Sequence, residues 1–196
     1  FQGKDITTWI WVGAIGGLGV AIAMAFKPMW ANFLAPVYAL LEGAFVGGIS
    51  AFYSYATAKV APGLILQAVG LTFGVVIAMY FLYRFKIIKA TEKFKSIVIT
   101  ATVGVAIFYL IAMGLRFFQI DIPFLHEGST LGILFSLVIV GLAAMNLILD
   151  FDMIEKGAAA GAPKYMEWYG AFGLLVTIVW LYIEILRLLS KLSSRN

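Results

Sequence analysis

The residues of this chain that could take part in chemistry are acidic side chains within apolar sequence. Asp150 and Asp152 stand two residues apart at the end of an uncharged run, 128–149. Glu184 lies inside the last apolar run, 168–189. An ionised carboxylate at bilayer depth costs roughly 2.5–3.5 kcal/mol on insertion scales. Each of these acids is therefore expected to be paired, protonated or in contact with water.

Asp150 and Glu184 are predicted to form a proton sensor and cation gate. If the two carboxyl groups meet, like charge and low dielectric make them hold one shared proton near neutral pH. Raising the pH removes that proton, and the two carboxylates then repel each other or accept a cation such as Ca²⁺, which prefers hard oxygen ligands. Straight helices would leave the acids roughly 20 Å apart in depth. We therefore expect segment 165–173 to depart from the axis of the helix that holds Glu184, through Gly170 and Gly173.

A local alternative for the same acids remains open. Arg187 follows Glu184 by three residues, so the two side chains could pair on one face of a single helix. Asp150 and Asp152 could both be solvated at a helix end. Asp152 lies on a different helix face from Asp150 and is expected to matter less.

Five polar residues are predicted to support the gate: Asp152 and Arg187, named above, and Glu42, Lys27 and Asn146. Glu42 has no basic neighbour within its own apolar run, so its side chain should face the interior of the bundle. Lys27 could reach Glu42 or Asp150 from the same membrane face. Asn146 stands one helical turn before Asp150 and can form hydrogen bonds on the same side.

The composition predicts an all-α polytopic membrane protein. Of the 196 residues, 63% are hydrophobic and 12% are charged, whereas soluble domains are about 25% charged. The mean hydropathy is +1.00. The apolar runs do not alternate as barrel strands would, so helices span the bilayer. The absence of cysteine excludes disulfides and thiolate metal sites.

Six apolar runs have the length of a membrane span. A helix needs about 20 apolar residues to cross a core of about 30 Å, and the runs that meet this length are 6–26, 32–58, 62–83, 96–115, 131–152 and 168–189. Their connections are short, which predicts a single bundle domain over residues 4–196. Residues 1–3 resemble the remnant of a cleaved tag and are left out of fold reasoning.

Basic residues predict the orientation of the bundle. Loop 84–95 holds five of the 14 basic side chains, and basic loops favour the cytoplasmic side. The net charge of +4 is therefore attributed to topology, and no nucleic-acid partner is expected. The expected partners are the lipid bilayer, protons, calcium or other cations, and other membrane proteins.

Three stretches carry a resemblance to a known family. Residues 149–154, Leu-Asp-Phe-Asp-Met-Ile, resemble the pattern Tyr-Asp-x-x-x-Ile near the end of that family's penultimate helix. Residues 180–189 resemble its last helix, Leu-Tyr-x-Asp-x-x-x-Leu-x-x-x-Leu-Leu, and residues 34–50 resemble its third. Over about 26–192 the chain resembles the Bax inhibitor-1 family, the transmembrane Bax-inhibitor-motif proteins, and in particular a bacterial branch.

The resemblance implies a fold and a site. It implies seven helices with the last at the centre, so the family's first helix is expected to be truncated or absent here. It also implies a pH-sensitive calcium leak controlled by two aspartates on the last two helices. Asp150 matches the first, Glu184 stands in place of the second, and Lys27 matches a basic residue that can latch the first acid. The two acids are 34 residues apart, a longer hairpin than the resemblance implies.

Three functions follow from these patterns. The first is a pH-sensitive calcium or cation leak channel gated by the carboxylate pair, in a bacterial inner membrane. The alternative is a non-conducting regulator of stress or cell death that binds other membrane proteins, and the third is a proton-coupled cation transporter. We expect no enzymatic activity and no cofactor beyond transiently bound Ca²⁺. An intramembrane aspartyl protease is disfavoured because no Gly-x-Gly-Asp surrounds the second acid.

Overall fold

The structure, a computed structural model, describes residues 3–57, 61–119 and 129–194. Over these residues the chain forms six α-helices and no strand: α1 (Gly3–Phe26), α2 (Ala31–Thr57), α3 (Leu64–Arg84), α4 (Glu92–Phe117), α5 (Thr130–Ala159) and α6 (Tyr165–Ser193). A 3-10 turn at Pro28–Trp30 joins α1 to α2. All six helices are long and apolar enough to cross a membrane, which confirms the predicted all-α class and the six spans.

Local sequence signals fix where several helices begin. The side chain of Thr91 accepts a hydrogen bond from Phe94 N at 3.2 Å and caps α4. Ser129 caps α5 in the same way, accepting from Gly132 N at 3.1 Å. Both are the hydroxyl caps that satisfy the free amides of a first turn. Gly63 precedes α3 with a φ of +88°, a left-handed conformation that glycine adopts without steric cost.

The last helix, α6, lies at the centre of the bundle. It packs against α2, α3 and α5. Its side chains Leu181, Ile185 and Leu186 are buried in one cluster with Leu147 and Ile148 of α5. Several polar side chains of α5 and α6 are consequently buried, among them Ser136, Thr177 and Glu184.

Helix α1 lies at the edge of the bundle and packs on α2 through glycines. A Cβ at Gly13 would lie 2.6 Å from the Leu41 carbonyl oxygen, and a Cβ at Gly48 would lie 2.6 Å from Ile10 Cγ1. Any side chain at either position would therefore separate the helices, since small residues allow close backbone approach in lipid. At Gly43, in contrast, an added Cβ would meet nothing within 4 Å.

The predicted departure of segment 165–173 from the helix axis is wrong. Residues 165–173 form the first turns of α6, which continues as one α-helix to Ser193. Gly170 instead permits close packing, because a Cβ there would lie 2.9 Å from Ile154 Cγ1 on α5. Glycine at this position serves the contact between the two helices and does not interrupt α6.

Candidate functional site

Glu184 lies in a buried hydrogen-bond network on α6. Its side chain is 1% exposed, and one guanidinium nitrogen of Arg187 lies 3.1 Å from each of its carboxylate oxygens. Trp180 Nε1 donates to Glu184 Oε1 at 3.3 Å. The spacings of three and four residues place these side chains on one helix face. The local pairing that the sequence left open is therefore the arrangement in the structure.

Tyr109 of α4 completes this network. Its hydroxyl lies 3.0 Å from Glu184 Oε1 and 2.5 Å from Arg187 Nη1. The guanidinium carbon of Arg187 lies 5.1 Å from the centre of the Tyr109 ring. The cation is thus held by both the carboxylate and the aromatic face. The charge of Glu184 is balanced within the network.

Asp150 has a different environment, at the contact between α5 and α6. The Thr177 hydroxyl of α6 is within hydrogen-bonding reach of the Asp150 carboxyl group, and it also donates to the Gly173 carbonyl at 3.3 Å. A hydroxyl carries only one hydrogen to donate. Asp150 Oδ2 is buried and has no hydrogen-bond partner among the described residues. None of the ion pairs within this part of the chain includes Asp150.

The two predicted gate residues therefore do not meet in this structure. Thr177, which faces Asp150, precedes Glu184 by seven residues, about 10 Å of helical rise. The uninterrupted α6 helix preserves this difference in depth. A Ca²⁺ site made from both carboxylates would require them to move together, and the described residues contain no group of three His, Cys, Asp or Glu side chains arranged to hold a metal.

Two of the predicted supporting residues have partners other than Asp150. Asn146 Nδ2 donates to Thr102 Oγ1 at 2.8 Å, so it joins α5 to α4. Lys27 Nζ lies 4.5 Å from the centre of the Trp30 ring. Within the described ranges Lys27 has no ion pair, so the predicted latch on Asp150 or Glu42 is not formed here.

Glu42 lies at the contact between α1 and α2. Its side chain is within hydrogen-bonding reach of Tyr38, one turn earlier. A Cβ on Gly17 of α1 would lie 3.1 Å from Glu42 Oε2. The carboxyl group of Glu42 therefore lies against the neighbouring helix α1.

Asp152 is buried, and not solvated at a helix end. It is 7% exposed, with Lys95 Nζ of α4 at 2.8 Å and Lys156 Nζ at 2.9 Å. Beside it, the Tyr83 hydroxyl of α3 donates to the Glu155 carboxylate. This group joins the ends of three helices, and Lys95 was not predicted to take part in it.

A polar stripe on α4 was also missed by the sequence reasoning. Lys95, Thr102 and Tyr109 recur every seven residues, a spacing that places them on one helix face. Their partners are Asp152, Asn146 and the Glu184 network, in that order along the helix. The signal was present in the sequence as three polar residues at heptad spacing.

A buried lysine near the other end of α6 was missed too. Lys191 is 4% exposed, and its Nζ lies 2.9 Å from Ser136 Oγ and 3.1 Å from the Gly132 carbonyl oxygen. It fixes the last turns of α6 against the first turns of α5. Because Lys191 stands in a basic C-terminal stretch, the sequence did not indicate that its side chain would be buried.

This arrangement defines a class: polytopic helical membrane proteins with ionisable side chains at the contacts of a central last helix. The chain matches the family model described as Bax inhibitor 1 like over residues 1–194, and it therefore belongs to that family. No curated protein and no solved structure gives a significant match to it.

Proposed function

We propose that this chain is a cation leak, with Ca²⁺ as the expected ion, and that protonation of Asp150 controls it. The observation that carries the proposal is the buried Asp150 Oδ2, which has no hydrogen-bond partner among the described residues. The chain belongs to the Bax inhibitor 1 like family, and the resemblance to that family implies a pH-sensitive calcium leak. Asp150 alone would then take the proton-sensitive role that the sequence predicted for a pair of acids.

The physical reason is the cost of an uncompensated charge. A buried carboxyl group without a counter-charge is tolerated when it carries its proton, whereas its ionised form needs water or a cation. Glu184 already has its counter-charge in Arg187. Loss of the proton from Asp150 would place a negative charge between α5 and α6. Separation of the helices, or entry of a cation, would then be favoured, so the leak should increase as the pH rises.

Calcium flux in liposomes tests this proposal. The full chain would be reconstituted with a calcium indicator, and flux would be measured from acidic to neutral pH for the parent and for Asp150→Asn. Glu167→Gln is the matched control, because Glu167 is an exposed acid in the first turn of α6. We expect flux to rise with pH in the parent and the control, and to lose most of its pH dependence in Asp150→Asn.

The same assay separates the rival functions. A folded parent that carries no flux at any pH contradicts the leak and favours a non-conducting regulator that binds other membrane proteins. Flux that requires an opposing proton gradient favours a proton-coupled transporter. Equal pH dependence in the parent and Asp150→Asn contradicts the role given to Asp150.

A further inference from the structure

A cavity of about 260 Å³ lies where α3 and α5 end and α4 begins. Three basic residues line it, Arg84, Lys86 and Lys89. All three side chains are exposed, and none has an ion pair within the part of the chain that the structure describes. The cavity therefore presents three uncommitted positive charges at one end of the bundle.

The acidic groups of the same cavity are already engaged. Asp152 is bound by Lys95 and Lys156, and Glu155 accepts the hydrogen bond of Tyr83. Thr91, the N-cap of α4, also lines the cavity, so the positive end of that helix dipole faces it. The electrostatic balance favours an anion, even with the carboxylate of Glu155 on the wall.

Exposed apolar side chains alternate with these basic residues. Phe85 is 68% exposed and Ile87 is 69% exposed. Both lie in the loop that follows the membrane-spanning helix α3. Apolar side chains beside basic ones at the end of a span are typical of segments that insert into the boundary between headgroups and acyl chains.

We infer that this cavity binds the phosphate headgroup of an anionic phospholipid. Arg84, Lys86 and Lys89 would contact the phosphate, while Phe85 and Ile87 would lie against the start of the acyl chains. Basic pockets beside membrane-spanning helices recognise lipid phosphates in this way. A free phosphate shares the headgroup chemistry, but it would gain nothing from the two apolar side chains.

Binding of soluble short-chain phosphatidylglycerol to the full chain in neutral detergent tests this site. Titration calorimetry would compare it with short-chain phosphatidylcholine and with inorganic phosphate. We expect phosphatidylglycerol to bind at least tenfold more tightly than either, because each basic contact near an anionic headgroup contributes about fivefold in affinity. Lys89→Gln should weaken binding by about fivefold, and the triple variant Arg84→Gln/Lys86→Gln/Lys89→Gln by roughly a hundredfold.

Lys164→Gln is the control, since Lys164 is exposed and lies in the connection before α6, outside the cavity. It should leave phosphatidylglycerol binding unchanged. Phe85→Ser should weaken phosphatidylglycerol binding and leave any phosphate binding as it is. Equal weakening by Lys164→Gln and Lys89→Gln would overturn the site, and inorganic phosphate binding as tightly as phosphatidylglycerol would overturn the lipid assignment. Thermal unfolding in phosphatidylcholine identifies misfolded variants, and the single variants decide the question if the triple variant fails to fold.

Discussion

One guanidinium nitrogen of Arg187 lies 3.1 Å from each carboxylate oxygen of Glu184. This contact neutralises Glu184, the acid that was predicted from sequence to pair with Asp150. Asp150 lies on α5 and faces Thr177 of the central helix α6. It has no cation beside it in the described structure. The two acids therefore have different surroundings: Glu184 has a counter-charge in Arg187, whereas Asp150, whose Oδ2 has no hydrogen-bond partner among the described residues, is the acid to which we assign the proton-sensitive role.

Arg187→Gln should destabilise the protein strongly. It leaves the buried Glu184 carboxylate without a cation, and breaking one side of a buried pair costs roughly 3–5 kcal/mol. The double variant Arg187→Gln/Glu184→Gln should recover most of that loss. The measurement is the free energy of unfolding in detergent, with Glu92→Gln as the control. Glu92 pairs with Lys95 while its side chain is 89% exposed, so its loss should be small. An Arg187→Gln effect no larger than that of Glu92→Gln would refute the buried network.

The α1–α2 contact should depend on glycine at position 13. Gly13→Ala places a Cβ 2.6 Å from the Leu41 carbonyl oxygen, and we expect it to cost about 1–3 kcal/mol by overpacking. Gly43 of α2 is exposed, so Gly43→Ala adds its Cβ to open space and should leave stability unchanged or slightly higher. Thermal unfolding of the two variants in the same detergent compares them. Similar melting temperatures would contradict the close approach of these helices.

Thr102 and Asn146 should be energetically coupled across α4 and α5. Their hydrogen bond measures 2.8 Å, and such bonds between membrane helices average about 0.6 kcal/mol in double-mutant cycles. The cycle uses Thr102→Val, Asn146→Leu and the double variant, with stability as the readout. Thr100→Val provides the control, because Thr100 is exposed on the same helix and should show no coupling to Asn146. Zero coupling between Thr102 and Asn146 would mean that this hydrogen bond does not hold α4 against α5.

The spans were predictable from sequence because bilayer thickness fixes the length of an apolar run. The Glu184–Arg187 pair could also be predicted from sequence as the local alternative, because residues three apart lie on the same helix face. The depth of Asp150 relative to α6 was not predictable. It depends on the register between α5 and α6, which is set by packing such as Gly170 against Ile154. That contact cannot be found from either helix alone.

The partners of the α4 stripe could not be predicted for a related reason. Heptad spacing shows that Lys95, Thr102 and Tyr109 share a face. It does not say which helix that face meets. The structure supplies that information through Asp152 and Asn146 of α5.

We propose that Asp150, and not a pair of acids, holds the proton that a rise in pH removes. Infrared difference spectroscopy of the reconstituted protein between acidic and neutral pH reads the carbonyl band of protonated carboxyl groups directly. The other carboxyl groups contribute to this band in every variant, so the parent and variant spectra are subtracted. We expect one component of the band to disappear as the pH rises, to be missing from Asp150→Asn, and to persist in Glu184→Gln/Arg187→Gln. A component that survives in Asp150→Asn and is lost from Glu184→Gln/Arg187→Gln would contradict the role given to Asp150 and return the titrating proton to Glu184.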